Sequence, residues 1–315
     1  MTYVLLIMWI LSGLLILQEW TVFRQIIFLG AFSLITTIIF LFQGAPDVAL
    51  ASASVSGFST IFLVVCFEKY YGSKHHATKA KEHVRFKPKL VLQGLAALVF
   101  CGVMLAMFVH FAPNVEPSTY LKHQYATHFR VDVGGENAVT AIYLAYRLYD
   151  TVFEALMLVV SVIAVVHLSF FDVDYVSDGR KSDIRHSATA INTIRFVCPI
   201  LLLFGIYLVA NGHLSPGGGF QGGVAVAVFF VCRFMIFNIY DLPVVEVLKD
   251  EKIVFLGIIL VSVLVIFMGI HQHFPYQHAP LLQNVYLLIM NALIGTKVAL
   301  GFLMLFYRYV AIDRR

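Results

Sequence analysis

The stretch Asn211-Gly-His-Leu-Ser-Pro-Gly-Gly-Gly-Phe-Gln-Gly-Gly223 lies between two long apolar runs, 187–210 and 220–240, and carries no formal charge. Glycine lets two backbones approach closely, and in lipid such an approach is tolerated only where protein covers the exposed polar groups. The stretch therefore predicts a tightly packed joint between two helices that faces other protein. A flexible turn at the membrane surface is the alternative.

The composition is that of an integral membrane protein. Of the 315 residues, 60% are hydrophobic and 13% are charged, and the mean hydropathy is +0.86. A soluble domain of this length would carry roughly twice that share of charge. The net charge of +4 is modest and is explained by membrane topology rather than by nucleic-acid binding. The four cysteines lie inside apolar runs without paired spacing, which predicts small core residues rather than a disulfide framework or a metal site.

The glycine-rich stretch also contains a nucleotide-binding pattern, but in the wrong context. Gly217, Gly219 and Gly222 have the dinucleotide spacing, and that motif needs a preceding strand and a βαβ unit. Here a membrane-length apolar run precedes it, and no Lys-Ser/Thr pair follows to make a phosphate loop. Nucleotide binding is therefore rejected.

The apolar runs predict an all-α polytopic membrane protein, because a bilayer core takes about 20 apolar residues per helix. Nine spans are predicted, at 3–18, 21–42, 46–67, 90–111, 150–171, 188–210, 219–240, 252–271 and 283–307. Lys and Arg concentrate in alternate loops, on the side that includes the C-terminal residues. The positive-inside rule then places the N-terminus outside and the C-terminus in the cytoplasm, with the chain in the inner (cytoplasmic) membrane.

Two polar linkers divide the chain into modules. The first linker, 76–89, is basic and cytoplasmic, and is expected to lie beside anionic lipid headgroups. The second, 172–187, is mixed in charge. The modules are predicted to hold three helices in 1–75, two helices in 90–171 and four helices in 188–315. Within the second module, 112–149 is predicted to be an external loop whose latter half lies along the membrane interface.

Ionisable side chains in membrane spans are costly unless they are paired or wetted, so they indicate function. Asp150 and Glu154 are four residues apart and share one face of the fifth span, with Arg147 one turn earlier. Glu154 lies deeper in the span, where a carboxyl group is suited to carrying protons. We predict a role in a proton path or a polar network for Glu154, and Arg147 with Asp150 is expected to form an interfacial ion pair.

Lys297 is the single residue that most strongly indicates function, because it lies in the middle of the ninth span. A lysine there can hold a buried carboxylate, and snorkelling to an interface is the alternative. Asp47 follows Pro46 at the start of the third span, where a carboxylate complements a helix N-terminus. Capping alone would explain Asp47. Arg195, four residues before Pro199, is expected either to find a partner across the bundle or to snorkel towards the cytoplasm.

Neither a metal site nor a catalytic arrangement is predicted. The external His271, His273 and His278 have no carboxylate nearby, so they are expected to be solvated. The chain contains no nucleophile–base arrangement, no HExxH pattern and no haem motif. We therefore expect no catalytic residue and no cofactor.

Three motifs, in order, resemble parts of one membrane machine. Gly44-Ala-Pro-Asp-Val-Ala-Leu50 resembles the signature of a three-helix module, which is found at the C-terminal end of the A-type protein of Mrp antiporters and as the D-type protein of membrane-bound hydrogenases. Asn137-Ala-Val-Thr-Ala-Ile142 resembles the two-helix E module that follows it. The stretch Gly212–Gly223 resembles the B-type protein of Mrp antiporters and the corresponding F-type protein of hydrogenases. The chain thus resembles a natural fusion of D, E and B-type subunits.

The resemblance extends to individual residues. Ionisable positions that match are Asp47, Asp150, Glu154, His213 and Lys297, and they are the candidates for an ion or proton path. Matching structural or pairing candidates are Arg147, Arg195, Pro199, Gly217, Gly218, Gly219, Gln221 and Gly222. Two positions depart from the pattern: Ser52 stands where a glutamate is usual, and Ala145 replaces an expected acid before Arg147. The loss of the acid at Ser52 leaves open whether the first module carries ions or only packs.

The resemblance implies a non-catalytic subunit of a multisubunit Mrp-type Na⁺/H⁺ antiporter. Implied partners are the large antiporter subunits, small C, E, F and G-type subunits, Na⁺, H⁺ and lipid. The equivalent subunit of a membrane-bound hydrogenase or a related redox-driven ion pump is the nearest alternative. A self-sufficient secondary transporter is a further alternative, although the chain has neither an evident internal repeat nor a pair of discontinuous helices. A purely structural role for the first module also stays open.

Overall fold

The computed structural model describes residues 2–19, 21–71, 99–100, 102–107, 109–110, 119–168, 188–237, 244–269 and 276–311. Within these ranges the chain is helical apart from short turns, and no strand occurs. The helices are α1 (Thr2–Gln18), α2 (Val22–Phe42), α3 (Pro46–Tyr71), α4 (Thr119–Asp132), α5 (Ala138–Ala141), a π-helical turn (Ile142–Tyr146), α6 (Leu148–Leu168), α7 (Ala188–Asn211), α8 (Gly219–Phe237), α9 (Val244–Phe267) and α10 (Pro280–Ala311). The predicted all-α class is confirmed. Both predicted linkers, 76–89 and 172–187, and most of the predicted span 90–111 lie outside the described residues.

Several helices have the length and apolar character needed to cross a bilayer. Five stretches in the described chain meet both conditions, namely Val22–Phe42, Pro46–Phe67, Leu148–His167, Ile191–Asn211 and Pro280–Tyr309. Two shorter apolar helices, Tyr3–Gln18 and Gly219–Phe234, accompany them. These helices confirm a multi-pass membrane protein, while nine spans and the stated orientation stay predictions.

The chain divides into two compact units. The first comprises Met1–Tyr70 and His128–Arg315, and the second comprises Tyr71–Thr127. In the second unit, the described residues between 99 and 110 and those from Thr119 onwards are helical. The predicted division into three modules and two linkers stays a prediction.

The predicted external loop 112–149 contains helical structure that was not predicted from its sequence. Helix α4 forms although its residues are mostly polar. Further along, the Arg147 amide donates to the Ile142 carbonyl at 2.7 Å, which closes the five-residue spacing of a π-helical turn. Thr140 and Leu144 are buried, and the Tyr286 hydroxyl donates to the Leu144 carbonyl. This stretch packs against protein, and its expected position along the membrane interface stays a prediction.

Helix α8 lies between α7 and α10 at distances that only glycine permits. A Cβ atom at Gly222 would lie 2.6 Å from the Gly205 carbonyl oxygen on α7. On the other side of α8, a Cβ atom at Gly223 would lie 2.5 Å from the Gly295 carbonyl oxygen on α10. Real side chains do not approach backbone so closely, and the predicted tightly packed joint facing protein is confirmed.

Aromatic rings join α3 to α10. Phe58 meets Phe302 edge to face with ring centroids 4.6 Å apart, and Phe62 meets Tyr309 at 5.2 Å. Such pairs contribute about 0.5–1.5 kcal/mol each beyond the burial of their area. The third helix of the chain is thereby held against its last helix, within the first compact unit.

Replacing Gly223 with alanine tests the close approach of α8 and α10. The added methyl group would meet the Gly295 carbonyl oxygen at 2.5 Å and the Val298 Cβ at 2.8 Å, so overpacking should cost about 1–3 kcal/mol and lower the thermal midpoint of the purified protein. Gly57→Ala in α3 is the matched control, since nothing lies within 4 Å of its added methyl group and alanine favours a helix by about 1 kcal/mol. Equal thermal midpoints for the two variants would contradict the packing.

Candidate functional site

The carboxylate of Asp47 joins three segments that are distant in sequence. Asp47 lies in the first turn of α3 and is 8% exposed. Its Oδ1 accepts hydrogen bonds from the Asn137 side-chain nitrogen at 2.9 Å and from the Gly217 amide at 3.0 Å. The prediction that Asp47 caps its own helix accounts for its position, but the structure adds two long-range bonds. We name Asp47, Asn137 and Gly217 the polar junction.

Asn137 uses both ends of its amide group in this junction. Its Nδ2 also donates to the carbonyl oxygens of Gly212 and Ser215, each at 3.1 Å. Its Oδ1 accepts from the Val139 amide at 2.9 Å and thereby caps the short helix α5. Sequence reasoning placed Asn137 in a motif but assigned it no role. An asparagine directly before a helical run is an N-cap signal, whereas its contacts with Gly212 and Ser215 could not be read from the chain.

A second group of polar contacts lies beside the junction. The Thr140 hydroxyl donates to the Gly212 carbonyl at 2.5 Å, and the Tyr143 hydroxyl donates to Asn291 Oδ1 at 2.9 Å. Asn291 Oδ1 also accepts from the Gly219 amide at 3.1 Å, so one buried side chain of α10 holds the start of α8. Burial raises the pKa of Tyr143 to about 12, and its phenol therefore stays protonated at neutral pH and acts as the donor.

The glycine-rich joint contributes its backbone to these contacts. Gly217 and Gly218 have φ angles of 149° and 151°, a region that favours glycine, and a Cβ atom at Gly218 would lie 2.5 Å from the Tyr143 hydroxyl. The His213 carbonyl accepts from the amides of Glu136 at 2.9 Å and Asn137 at 3.2 Å. Burial lowers the pKa of the His213 imidazole, so this side chain is neutral at pH 7. At this position, the two hydrogen bonds from Glu136 and Asn137 therefore bind the joint through the backbone carbonyl of His213.

Lys297 forms a buried ion pair with Glu251. The two side chains are 1% and 0% exposed, and Lys297 Nζ donates to Glu251 Oε1. Within the described chain, the other carboxylate oxygen of Glu251 is buried without a hydrogen-bond partner. Of the two expectations for Lys297, the structure shows a buried carboxylate partner and no snorkelling. An ammonium and a carboxylate that are both removed from solvent need each other, because the charge left by losing one partner would be uncompensated.

Glu251 is the residue that sequence reasoning missed. It lies in Asp250-Glu251-Lys252, directly before the predicted eighth span, and such charged runs usually mark a loop. Helix α9 includes Val244 and places Glu251 about two turns along its axis. A lysine in the middle of a span indicated that an acidic side chain should lie opposite. The sequence could not show which acid it is, because several acids of the chain were possible partners.

The acids of α6 are arranged differently from Asp47 and Glu251. Arg147 and Asp150 form an ion pair at 2.5 Å, with side chains 60% and 58% exposed. Glu154 is exposed, and within the described chain no hydrogen bond or ion pair joins it to the polar junction or to Lys297. The structure therefore brings Asp47 and Gly217 together, gives Lys297 a partner from α9, and leaves Glu154 on the surface of the chain.

The remaining candidates lie on or beside α7 and α8. Arg195 is exposed on α7, Pro199 lies inside the same helix, and Gln221 is half-buried at the start of α8.

Ser52, the position on α3 that lacks the usual glutamate, accepts a hydrogen bond at 3.3 Å from Thr37 on α2. In the described chain, no group of three or more His, Cys, Asp or Glu side chains could hold a metal ion.

Asp47→Ala tests the polar junction. The change leaves the buried Gly217 amide without its acceptor, which should cost about 1–3 kcal/mol and lower the thermal midpoint of the protein. Asp47→Asn is the matched control, because its amide oxygen can accept the same two bonds without a charge. We expect the asparagine variant to keep most of the stability. A full loss in both variants would mean that the negative charge, rather than the hydrogen bonding, holds the junction.

Family comparisons match both ends of the chain. Residues 190–312 match the domain related to the MnhB subunit of Na⁺/H⁺ antiporters, and residues 6–71 match MbhD, the D-type protein of MBH. A Staphylococcus haemolyticus protein assigned as antiporter subunit mnhB2 is 33% identical over 94 residues, which are 28% of this chain and 67% of that protein.

Two solved structures share the fold. One is the Mrp complex from Dietzia sp. DQ12-45-1b, with a TM-score of 0.73, 16% identity, and coverage of 99% of this chain and 35% of that chain. The other is the membrane-bound sulfane sulfur reductase, an archaeal respiratory membrane complex, with a TM-score of 0.57, 26% identity, and coverage of 70% of this chain and 98% of that chain. The chain thus spans about a third of the Mrp chain that it resembles. A domain that matches MbhD precedes the MnhB-related part in the same polypeptide. Because residues 190–312 match the MnhB-related domain and the mnhB2 relative is similar, this protein belongs to the family of MnhB-related antiporter subunits.

Proposed function

We propose that the chain is a non-catalytic membrane subunit of a multisubunit Mrp-type antiporter that exchanges Na⁺ or another monovalent cation for protons. It contributes to the ion or proton path and to assembly of the complex, together with large antiporter subunits and small subunits in the cytoplasmic membrane. Membership of the MnhB-related family and the fold shared with the Mrp complex support this function.

The observation that carries the proposal is the buried pair of Lys297 and Glu251. Both groups lie in the part of the chain that matches the antiporter family, on two neighbouring helices. A buried ion pair adds little net stability compared with apolar side chains of similar size, so the fold alone does not require it. Ionisable groups inside membrane proteins mark ion and proton routes by default. Lys297 and Glu251 are therefore our first candidates for the path.

Replacing Lys297 tests this assignment. Lys297→Ala should abolish Na⁺-driven proton movement in vesicles that contain the assembled complex. The single change also leaves the Glu251 charge buried and unpaired, which should cost about 3–5 kcal/mol and could prevent folding. The double variant Lys297→Met with Glu251→Gln removes both charges and should assemble normally while transport is lost. Full transport by the assembled double variant would overturn the assignment.

Glu154→Gln is expected to abolish transport as well, because Glu154 is a further candidate for the path, and full transport by this variant would contradict that role. Glu136→Gln is the matched control, because Glu136 is an exposed acid that pairs with Arg130 at 2.6 Å outside the membrane-spanning helices. We expect the control to transport at the unmodified rate. Measurement in the same vesicles separates a local effect at Glu154 from a general loss of negative charge.

A redox-driven complex is the second candidate function. The match of residues 6–71 to MbhD and the fold shared with the sulfane sulfur reductase favour it. In that case, electron transfer on other polypeptides would drive the same ion path. Purification of the native complex distinguishes the two: partner chains that carry iron–sulfur or nickel centres would support the redox-driven complex, and large antiporter subunits without such centres would support the antiporter.

A further inference from the structure

Two cysteines on neighbouring helices bring their thiol groups together. Cys198 lies on α7 and is 8% exposed, and Cys232 lies on α8 and is half-buried. Both are free thiols, and a side-chain hydrogen bond joins one to the other. Their spacing along the chain does not predict this contact. We name Cys198 and Cys232 the thiol pair.

The thiol pair follows from the register in which α7 and α8 pack. At the glycine-rich joint, a Cβ atom at Gly212 would lie 2.7 Å from the Gly218 Cα, so the two helices start close together. Cys198 precedes Gly212 by fourteen residues. Cys232 follows Gly218 by the same number, so the antiparallel helices place the two cysteines opposite each other, about 21 Å from the joint.

The surroundings of the two thiols differ in access and in charge. Cys198 is the more deeply buried, whereas part of the Cys232 surface is open to small molecules. Arg233 follows Cys232 directly and is close enough for its positive charge to act on Cys198. Apolar surroundings keep a thiol protonated and slow to react, while a nearby cation favours the reactive thiolate. A small oxidant should therefore reach Cys232 first and find a second thiol beside it.

We propose that the thiol pair is a site of reversible oxidation by a small neutral peroxide, which joins α7 to α8 through a disulfide. The Cys232 sulfur attacks one oxygen of hydrogen peroxide, the O–O bond breaks, and the released hydroxide takes the thiol proton to form water. The Cys198 sulfur then attacks the resulting sulfenic acid at sulfur, and the S–O bond breaks with loss of a second water. The two thiols lose two electrons, which the peroxide gains.

The disulfide would fix the α7–α8 hairpin at both ends. The glycine-rich joint connects the two helices at one end, and the disulfide would connect them at the other. An external dithiol would restore both thiols by thiol–disulfide exchange. Either candidate complex, the antiporter or the redox-driven pump, could contain this site.

Differential thiol labelling in membranes that contain the native complex tests the disulfide. After exposure to hydrogen peroxide, the membranes are dissolved in denaturant and the remaining thiols are blocked with N-ethylmaleimide. Dithiothreitol then reduces any disulfide, and deuterated N-ethylmaleimide labels the thiols that are released. Because no Lys or Arg lies between Cys198 and Cys232, trypsin leaves both in the single peptide 196–233, whose labels are read by mass spectrometry.

Peroxide should raise the deuterated label several-fold at both cysteines of the thiol pair. Cys66 on α3 is the matched control, because it is a half-buried cysteine outside the pair. Its deuterated label should stay at the level of untreated membranes. An equal rise at Cys66, or no rise at Cys198 and Cys232, would overturn the proposal.

Serine variants test whether the two sulfur atoms react with each other. In Cys232→Ser, the deuterated label should disappear from Cys198. In Cys198→Ser, dimedone, which traps sulfenic acids, should modify Cys232 after peroxide treatment. A label that persists on Cys198 without Cys232, or a disulfide to another polypeptide on a non-reducing gel, would contradict the pairing. Labelling of the unmodified protein decides the proposal even where a variant fails to assemble.

Discussion

A buried polar atom inside a membrane protein costs free energy unless it finds a hydrogen-bond partner in the protein, and the junction at Asp47 shows how this chain supplies such partners. One carboxylate oxygen binds Asn137 and the Gly217 amide, and Asn137 binds two carbonyl groups of the joint between α7 and α8. In a low-dielectric surrounding, water is not available to form these hydrogen bonds, so losing a protein partner would leave a buried polar atom at a high cost in free energy. The bonds therefore determine where α3 and α5 meet the glycine-rich joint.

The glycines of α8 extend this constraint to the C-terminal helix. Because Gly219 and Gly223 have no side chains, α10 approaches until the Asn291 carbonyl oxygen would lie 2.6 Å from a Cβ atom at Gly219. In that position Asn291 accepts hydrogen bonds from Tyr143 and Gly219, while Lys297, further along the same helix, reaches Glu251 on α9. One helix thus connects the polar junction to the buried ion pair, and a change in its position would affect both.

Lys297 and Glu154 show two ways in which a membrane chain can accommodate a charge. Lys297 is compensated inside its own chain by a carboxylate that is equally buried. Glu154 is exposed on α6 in the part of the chain that the structure describes, and contact of a charged carboxylate with lipid would be costly. The difference comes from packing, because α9 brings a carboxylate to Lys297, whereas the described helices bring no charged partner to Glu154.

The sequence by itself determined the class of protein, because hydropathy is a local property. It also predicted the close joint from its glycines and a buried carboxylate partner for Lys297 from a charge within a span, and it left a flexible turn and snorkelling open as alternatives. It did not show helix α4, whose residues are mostly polar, nor the bonds that Asn137 makes across the chain. Only the tertiary structure decided that Glu251 is the partner of Lys297 and that Glu154 faces outward. The physical reason is that pairing depends on which helix faces meet, and this is set by packing between segments that lie far apart in the chain.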